Sequence, residues 1–253
     1  MPQEQAGPLA GKVAVVTGGG RGIGRSIVRI LAKNGADVAL CARSQDEIGA
    51  VAEEVRAMGR RAVAVSTDVA SWEQVQKFAG AVTRELGQVN ILVNNAGGSV
   101  ERNTPIAQSD PDRWWRAVEV NLHGTYLVTR AFLEHIADGG RIVNIGSGMG
   151  HEAPRGNASS YNVAKAGVHM FTQALAVEVW ERGILVNEVL PGIVANGLNP
   201  EQRLEEAKSK PPAFAPSERL KHPDRVAELI LWIVTRGEDG PTGQTFSLAR
   251  RPL

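Results

Sequence analysis

Short apolar runs recur along the chain, separated by longer stretches in which apolar residues return every three or four positions. The runs cover 13–16, 38–40, 62–65, 91–93, 142–145, 184–190 and, more weakly, 245–248. Most are apolar at consecutive rather than alternate positions, which leaves no face for water. They predict strands of a parallel sheet covered on both sides. Helix-start signals fall between them. Ser44 with Glu47 and Ser71 with Gln74 fit capping boxes. Asp110-Pro111 and His222-Pro223 place proline at a first helical position. One helix is expected to run from the glycines after residue 17 to about Asn34, and another from Pro111 to about Ala137. Strand and helix alternate throughout, which predicts right-handed crossovers and an α/β doubly wound sheet in one unit spanning 9–250. The segment 196–220 departs from the pattern. It carries Pro200, Pro211, Pro212 and Pro216 among charges, with few periodic apolar residues, and reads as a substrate loop or lid.

Composition narrows the partners. With 253 residues the chain can bury a sizeable core, and a net charge of +1 lacks the basic excess expected of a nucleic-acid or anionic-membrane binder. No stretch reaches the roughly 18 apolar residues of a membrane span, and the N-terminus lacks the basic and apolar regions of a secretory signal. Cys41 is the only cysteine, so no intrachain disulfide can form; this fits a reducing compartment and a cytoplasmic location. His123, His135, His151, His169 and His222 are scattered, and no metal site is expected.

Two motifs carry chemistry. Gly18, Gly22 and Gly24, spaced Gly-x3-Gly-x-Gly with Arg21 and Ile23 between them, follow the first strand and open a helix. Missing side chains let the backbone turn tightly and approach a pyrophosphate, and a helix N-terminus adds unpaired N–H groups. The second strand ends in Ala42-Arg43, where an NAD-selective site would carry an acidic residue for the ribose hydroxyls. Arg43 and Arg21 are suited to bracket a 2′-phosphate instead, so NADP(H) is the expected cofactor. Downstream, Tyr161 and Lys165 stand four residues apart and share a helix face. A nearby ammonium favours phenolate and brings a tyrosine within reach of proton exchange at neutral pH.

In order along the chain come the glycine turn, Asn94-Asn95-Ala96-Gly97, Ser147, Tyr161, Lys165 and Pro191-Gly192. Together they resemble the short-chain dehydrogenase/reductase family over nearly the whole chain. The resemblance implies a Rossmann-like, mostly parallel seven-stranded sheet with helices on both faces, and commonly a homotetramer. It implies that Asn121, Ser147, Tyr161 and Lys165 are catalytic, with Asn121 kinking its helix to hold a water. It places Asp68 and Val69 at the adenine, Asn95 at the cofactor edge, and Val194 and Asn196 at the nicotinamide carboxamide. Asn196 departs from the usual threonine, and the chain lacks the frequent acidic-glycine ending.

The expected activity is hydride transfer between NADP(H) and a small-molecule carbonyl or alcohol, with Tyr161 as acid/base, and a 3-oxoacyl thioester as the leading substrate. The alternatives are a cofactor-binding regulatory protein without turnover, and an epimerase or dehydratase, for which about 60 residues after Pro191 leave little room. Loops at 98–105, 151–157 and 196–216 are expected to line the pocket, with Glu101, Arg102, His151 and Arg155 as its polar groups.

Overall fold

Every residue of Val13–Thr17 is buried, and this strand, β1, lies in the middle of a seven-stranded sheet. The computed structural model describes residues 7–98, 100, 104–151, 156–197, 199–208 and 219–249. The remaining strands are β2 (Asp37–Ala42), β3 (Ala62–Ser66), β4 (Val89–Asn94), β5 (Ile136–Ile145), β6 (Leu185–Leu190) and β7 (Thr245–Ser247). Their order is β3-β2-β1-β4-β5-β6-β7, and every pairing is parallel. All seven apolar runs are strands. The order reverses between β1 and β4, the switch point at whose C-terminal edge a crevice forms in such sheets.

The helices are α1 (Gly22–Lys33), α2 (Gln45–Ala57), α3 (Trp72–Leu86), α4 (Pro111–Val118), α5 (Gly124–Phe132), α6 (Ser159–Glu178), α7 (Pro200–Lys208) and α8 (Asp224–Val234). The central strands have two buried faces because two cores cover them. One packs Ala14, Val16, Val38 and Leu40 under Ile27, Leu31, Ile48 and Ile230 of α1, α2 and α8. The other packs Val15, Leu92 and Ile142 under Phe78, Phe132 and Leu175 of α3, α5 and α6. Phe78 and Phe132 meet edge to face at 5.5 Å.

Several local expectations need correction. The Ser44 hydroxyl accepts the Glu47 N–H, as a cap should. The Ser71 side chain makes no capping bond, and the Gln74 side chain accepts the Asp68 N–H. Proline stands at the first position of α4, with Asp110 accepting from Asp112 and Arg113, but Pro223 is the residue before α8. The helix from Pro111 does not reach Ala137. It ends at Phe132, and β5 begins at Ile136, which is fully buried and pairs with Val89. Within 196–220, Pro200–Lys208 is helical, and 209–218 lie outside the described residues.

Candidate active site

At the end of β1 the chain turns through Gly18, with φ of +66°, and α1 starts at Gly22, with φ of +52°. A Cβ on Gly24 would stand 2.0 Å from the Gly18 carbonyl oxygen, so the turn closes only with glycine there. Asn95, just past β4, ties the turn to the neighbouring strand. Its Nδ2 donates to the carbonyls of Thr17 at 2.9 Å and Gly18 at 3.2 Å. The Thr17 hydroxyl, not anticipated from sequence, accepts the N–H groups of Asn95 and Ala96 at 3.0 and 2.9 Å.

The first turn of α1 already holds one oxygen. Asn196 reaches over from the segment after β6, and its Oδ1 accepts the Ile23 N–H at 3.2 Å. A Cβ on Gly22 would lie 1.6 Å from that oxygen. The glycine turn therefore has both the open backbone and the donor that a phosphate oxygen needs, and the side-chain amide oxygen stands in for it. Asn196, expected at the nicotinamide carboxamide, thus lies against the first turn of α1. Ala195, beside it, donates its N–H to the Lys221 carbonyl at 2.9 Å, and Val194 forms a bridge with Lys221.

Both arginines lie at this edge. Arg21 is exposed and pairs with Glu47 at 3.4 Å. Arg43 is exposed and makes no ion pair among the described residues. Asp68 forms an ion pair with Arg116 and accepts the Ala70 N–H at 3.0 Å; its neighbour Val69 is buried.

The residues expected to handle protons lie beyond β4 and β5. Between α4 and α5 the helix passes through one π turn, Glu119–His123, closed by the Gly124 N–H on the Glu119 carbonyl. Such turns insert one residue and re-aim side chains. Here the turn points Asn121 inward. Its Oδ1 accepts the Gly98 N–H at 2.9 Å, while Nδ2 donates to the Gly98 and Ala117 carbonyls, both at 2.8 Å. Both amide hydrogens are thus committed to backbone. A Cβ on Gly97 would meet Asn121 Oδ1 at 2.7 Å and Lys165 Nζ at 3.5 Å, so these two side chains share one small space.

Lys165 is 4% exposed and donates to the Ile145 carbonyl at 2.7 Å. Burial lowers its pKa to about 8, and the charge of Glu188 opposes that fall. Its ammonium lies 5.8 Å from the centre of the Tyr161 ring, one helical turn away on α6. Ser147 ends the segment after β5, and its hydroxyl oxygen accepts the Met149 N–H at 3.2 Å. A hydroxyl has one hydrogen to give, so that contact leaves it available to a substrate oxygen.

The histidines are not all scattered. His151 and His169 both meet Glu188 in the interior, which overturns the expectation of isolated histidines. No periodicity or spacing links these three positions; only the fold does. Glu101, Arg102 and Arg155 lie outside the described residues. Among the described residues, no helix is long and apolar enough to cross a membrane.

The short chain dehydrogenase family model matches residues 12–207. The chain is 36% identical over 242 residues to the 3-oxoacyl-(acyl-carrier-protein) reductase FabG of Pseudomonas aeruginosa, covering 94% of this chain and 95% of that protein. It is 35% identical over 240 residues to the acetoacetyl-CoA reductase of Cupriavidus necator, covering 94% and 96%. The crystal structure of a short chain dehydrogenase from Burkholderia cenocepacia in complex with NADP superposes with a TM-score of 0.85 at 33% identity, covering 96% of this chain and 98% of that one. With its parallel sheet, glycine turn and buried lysine beside Tyr161, the chain belongs to the short-chain dehydrogenase/reductase family.

Proposed function

We propose that this protein is an NADP(H)-dependent oxidoreductase that reduces a 3-oxoacyl thioester, with Tyr161 as the proton donor. The observation that carries the chemistry is the buried Lys165 ammonium beside the Tyr161 ring. A positive charge in a low-dielectric pocket favours the phenolate, the direction that a proton-donating phenol needs. The similarity to an acetoacetyl-CoA reductase and a 3-oxoacyl reductase supports the thioester.

The cofactor would lie along the C-terminal edge of β1 and β4. Gly18, Gly22, Ile23 and Gly24 would hold the pyrophosphate, Arg21 and Arg43 the 2′-phosphate, and Asp68 and Val69 the adenine. Asn95 fixes the turn, while Asn196, bonded to the Ile23 N–H, and nearby Val194 would border the cofactor from the segment after β6. When bound, the nicotinamide supplies or receives the hydride. The Ser147 hydroxyl orients the substrate oxygen, and Tyr161 protonates that oxygen as negative charge develops on it. Lys165 holds the phenol acidic, and Asn121 keeps the Gly98 backbone and the lysine pocket in shape.

A homo-oligomer is part of the same reading. Val163, Met170 and Val177 recur every seven residues on α6 and are exposed, Val177 to 77%. Trp115 and Tyr126 are exposed on α4 and α5. Such an apolar row suits a helix-to-helix subunit contact. Oxidation of NADPH with acetoacetyl thioesters, followed by the loss of NADPH absorbance, tests the activity; turnover on simple ketones alone would contradict the thioester assignment.

A further inference from the structure

Glu188 is a carboxylate with no exposure at all, set in the middle of β6. Its Oε2 has three neighbours at 2.9 Å: His151 Nε2 from the segment after Ser147, His169 Nδ1 from α6, and Thr245 Oγ1 from β7. The two imidazole rings lie 4.1 Å apart, centre to centre. The nitrogens of both rings and the carboxylate oxygen all fall within 4.8 Å of one another. The other carboxylate oxygen, Oε1, is buried and has no hydrogen-bond partner among the described residues. A buried carboxylate oxygen without a donor is costly, and such an atom marks a place where positive charge is missing.

Neutral imidazole is the form that binds metals. We propose that His151, His169 and Glu188 form a binding site for a divalent transition-metal ion of the zinc class. Two nitrogens and one carboxylate oxygen are a known ligand set for zinc, and the nitrogen majority disfavours magnesium and calcium. Binding requires the tautomers in which His151 carries its proton on Nδ1 and His169 on Nε2, so that the inward nitrogens offer lone pairs. Thr245, bonded to Glu188 Oε2 and 3.4 Å from His169 Nδ1, orients the carboxylate from behind. The three ligands come from three separate elements. An ion here therefore clamps the segment that follows Ser147 onto α6 and β6.

Glu188 also faces Lys165 electrostatically, so the site is tested by metal binding itself, without turnover. Chelator-stripped protein is titrated calorimetrically with zinc chloride, and with cobalt chloride in the visible. The expected result is one ion per chain, a rise in Tm with zinc, and the d–d absorption of low-coordinate cobalt. His169→Gln, a change at a partly exposed position, and Glu188→Gln are each expected to weaken binding about 100-fold, and magnesium chloride to give no heat. Absence of stoichiometric zinc binding, or binding unchanged in His169→Gln, overturns the site and leaves a hydrogen-bonded cluster only.

Discussion

Asn196 and Ile23, separated by 173 residues in the chain, are joined by one hydrogen bond at the start of α1, where the Asn196 Oδ1 accepts the Ile23 N–H at 3.2 Å. The same N–H is the donor that a pyrophosphate would use. On the proposed cofactor position, the side chain would compete with the cofactor for the helix N-terminus. A hydrogen bond of this type is worth about 0.5–1.5 kcal/mol net, so Asn196→Ala is expected to tighten NADPH binding roughly 2- to 10-fold. Fluorescence titration measures it. Weaker binding in the variant would mean that the side chain instead contacts the dinucleotide, as its sequence position implies.

Arg21 and Arg43 set the expected cofactor preference. Arg21 must leave Glu47 to meet a 2′-phosphate, whereas Arg43 has no competing carboxylate among the described residues. A charge-assisted bond contributes about 1.5–3 kcal/mol, so Arg43→Ala is expected to lower the NADPH-to-NADH ratio of kcat/KM by about 10- to 150-fold. An unchanged ratio would remove Arg43 from the cofactor site.

Lys165 gives the reaction its pH dependence. Its pKa of about 8 is set first by burial, which disfavours the charged form, and is raised by Glu188. The ammonium is present below that value and lost above it, so kcat/KM for reduction is expected to fall as pH rises through about 8. Removing the Glu188 charge leaves the desolvation unopposed. In metal-free buffer Glu188→Gln is therefore expected to move the fall to lower pH. A profile flat far into the alkaline range, or a shift upward, would contradict this role for the lysine.

Gly146 and Glu188 constrain one another. A Cβ on Gly146 would stand 1.8 Å from Glu188 Oε1 and 2.5 Å from its carboxyl carbon. Gly146→Ala is expected to destabilise the protein by about 1–3 kcal/mol through overpacking. The same change in a Glu188→Ala background should cost clearly less, because the obstructing group is gone. Equal losses by urea denaturation in the two backgrounds would show that the two positions are independent.

Much of this molecule is legible from residue order. The strands declare themselves because a doubly covered sheet demands uninterrupted apolar runs, and Val13–Thr17 is buried throughout. Gly18, Gly22 and Gly24 are legible because only glycine fits a turn so close to its own carbonyls. Other features have no local signature. The π turn at Glu119–His123 is one extra residue in a helix, held by tertiary bonds from Asn121 to Gly98. Gln74 accepts the Asp68 N–H, and the Ser71 N–H bonds the Asp68 carbonyl in place of the expected cap. His151, His169 and Glu188 lie on three elements that only the β5-β6-β7 order brings together. The order of motifs points to Asn196, yet its oxygen sits at the start of α1, a placement set by how the segment after β6 folds back.

In the proposed reaction Tyr161 transfers the proton. Single-turnover reduction of an acetoacetyl thioester by Tyr161→Phe, with NADPH affinity measured on the same preparation, tests it most directly. The predicted result is a loss of about 10²–10⁴-fold in the reduction rate with cofactor affinity essentially retained. A variant that reduces substrate at close to the parental rate would contradict it.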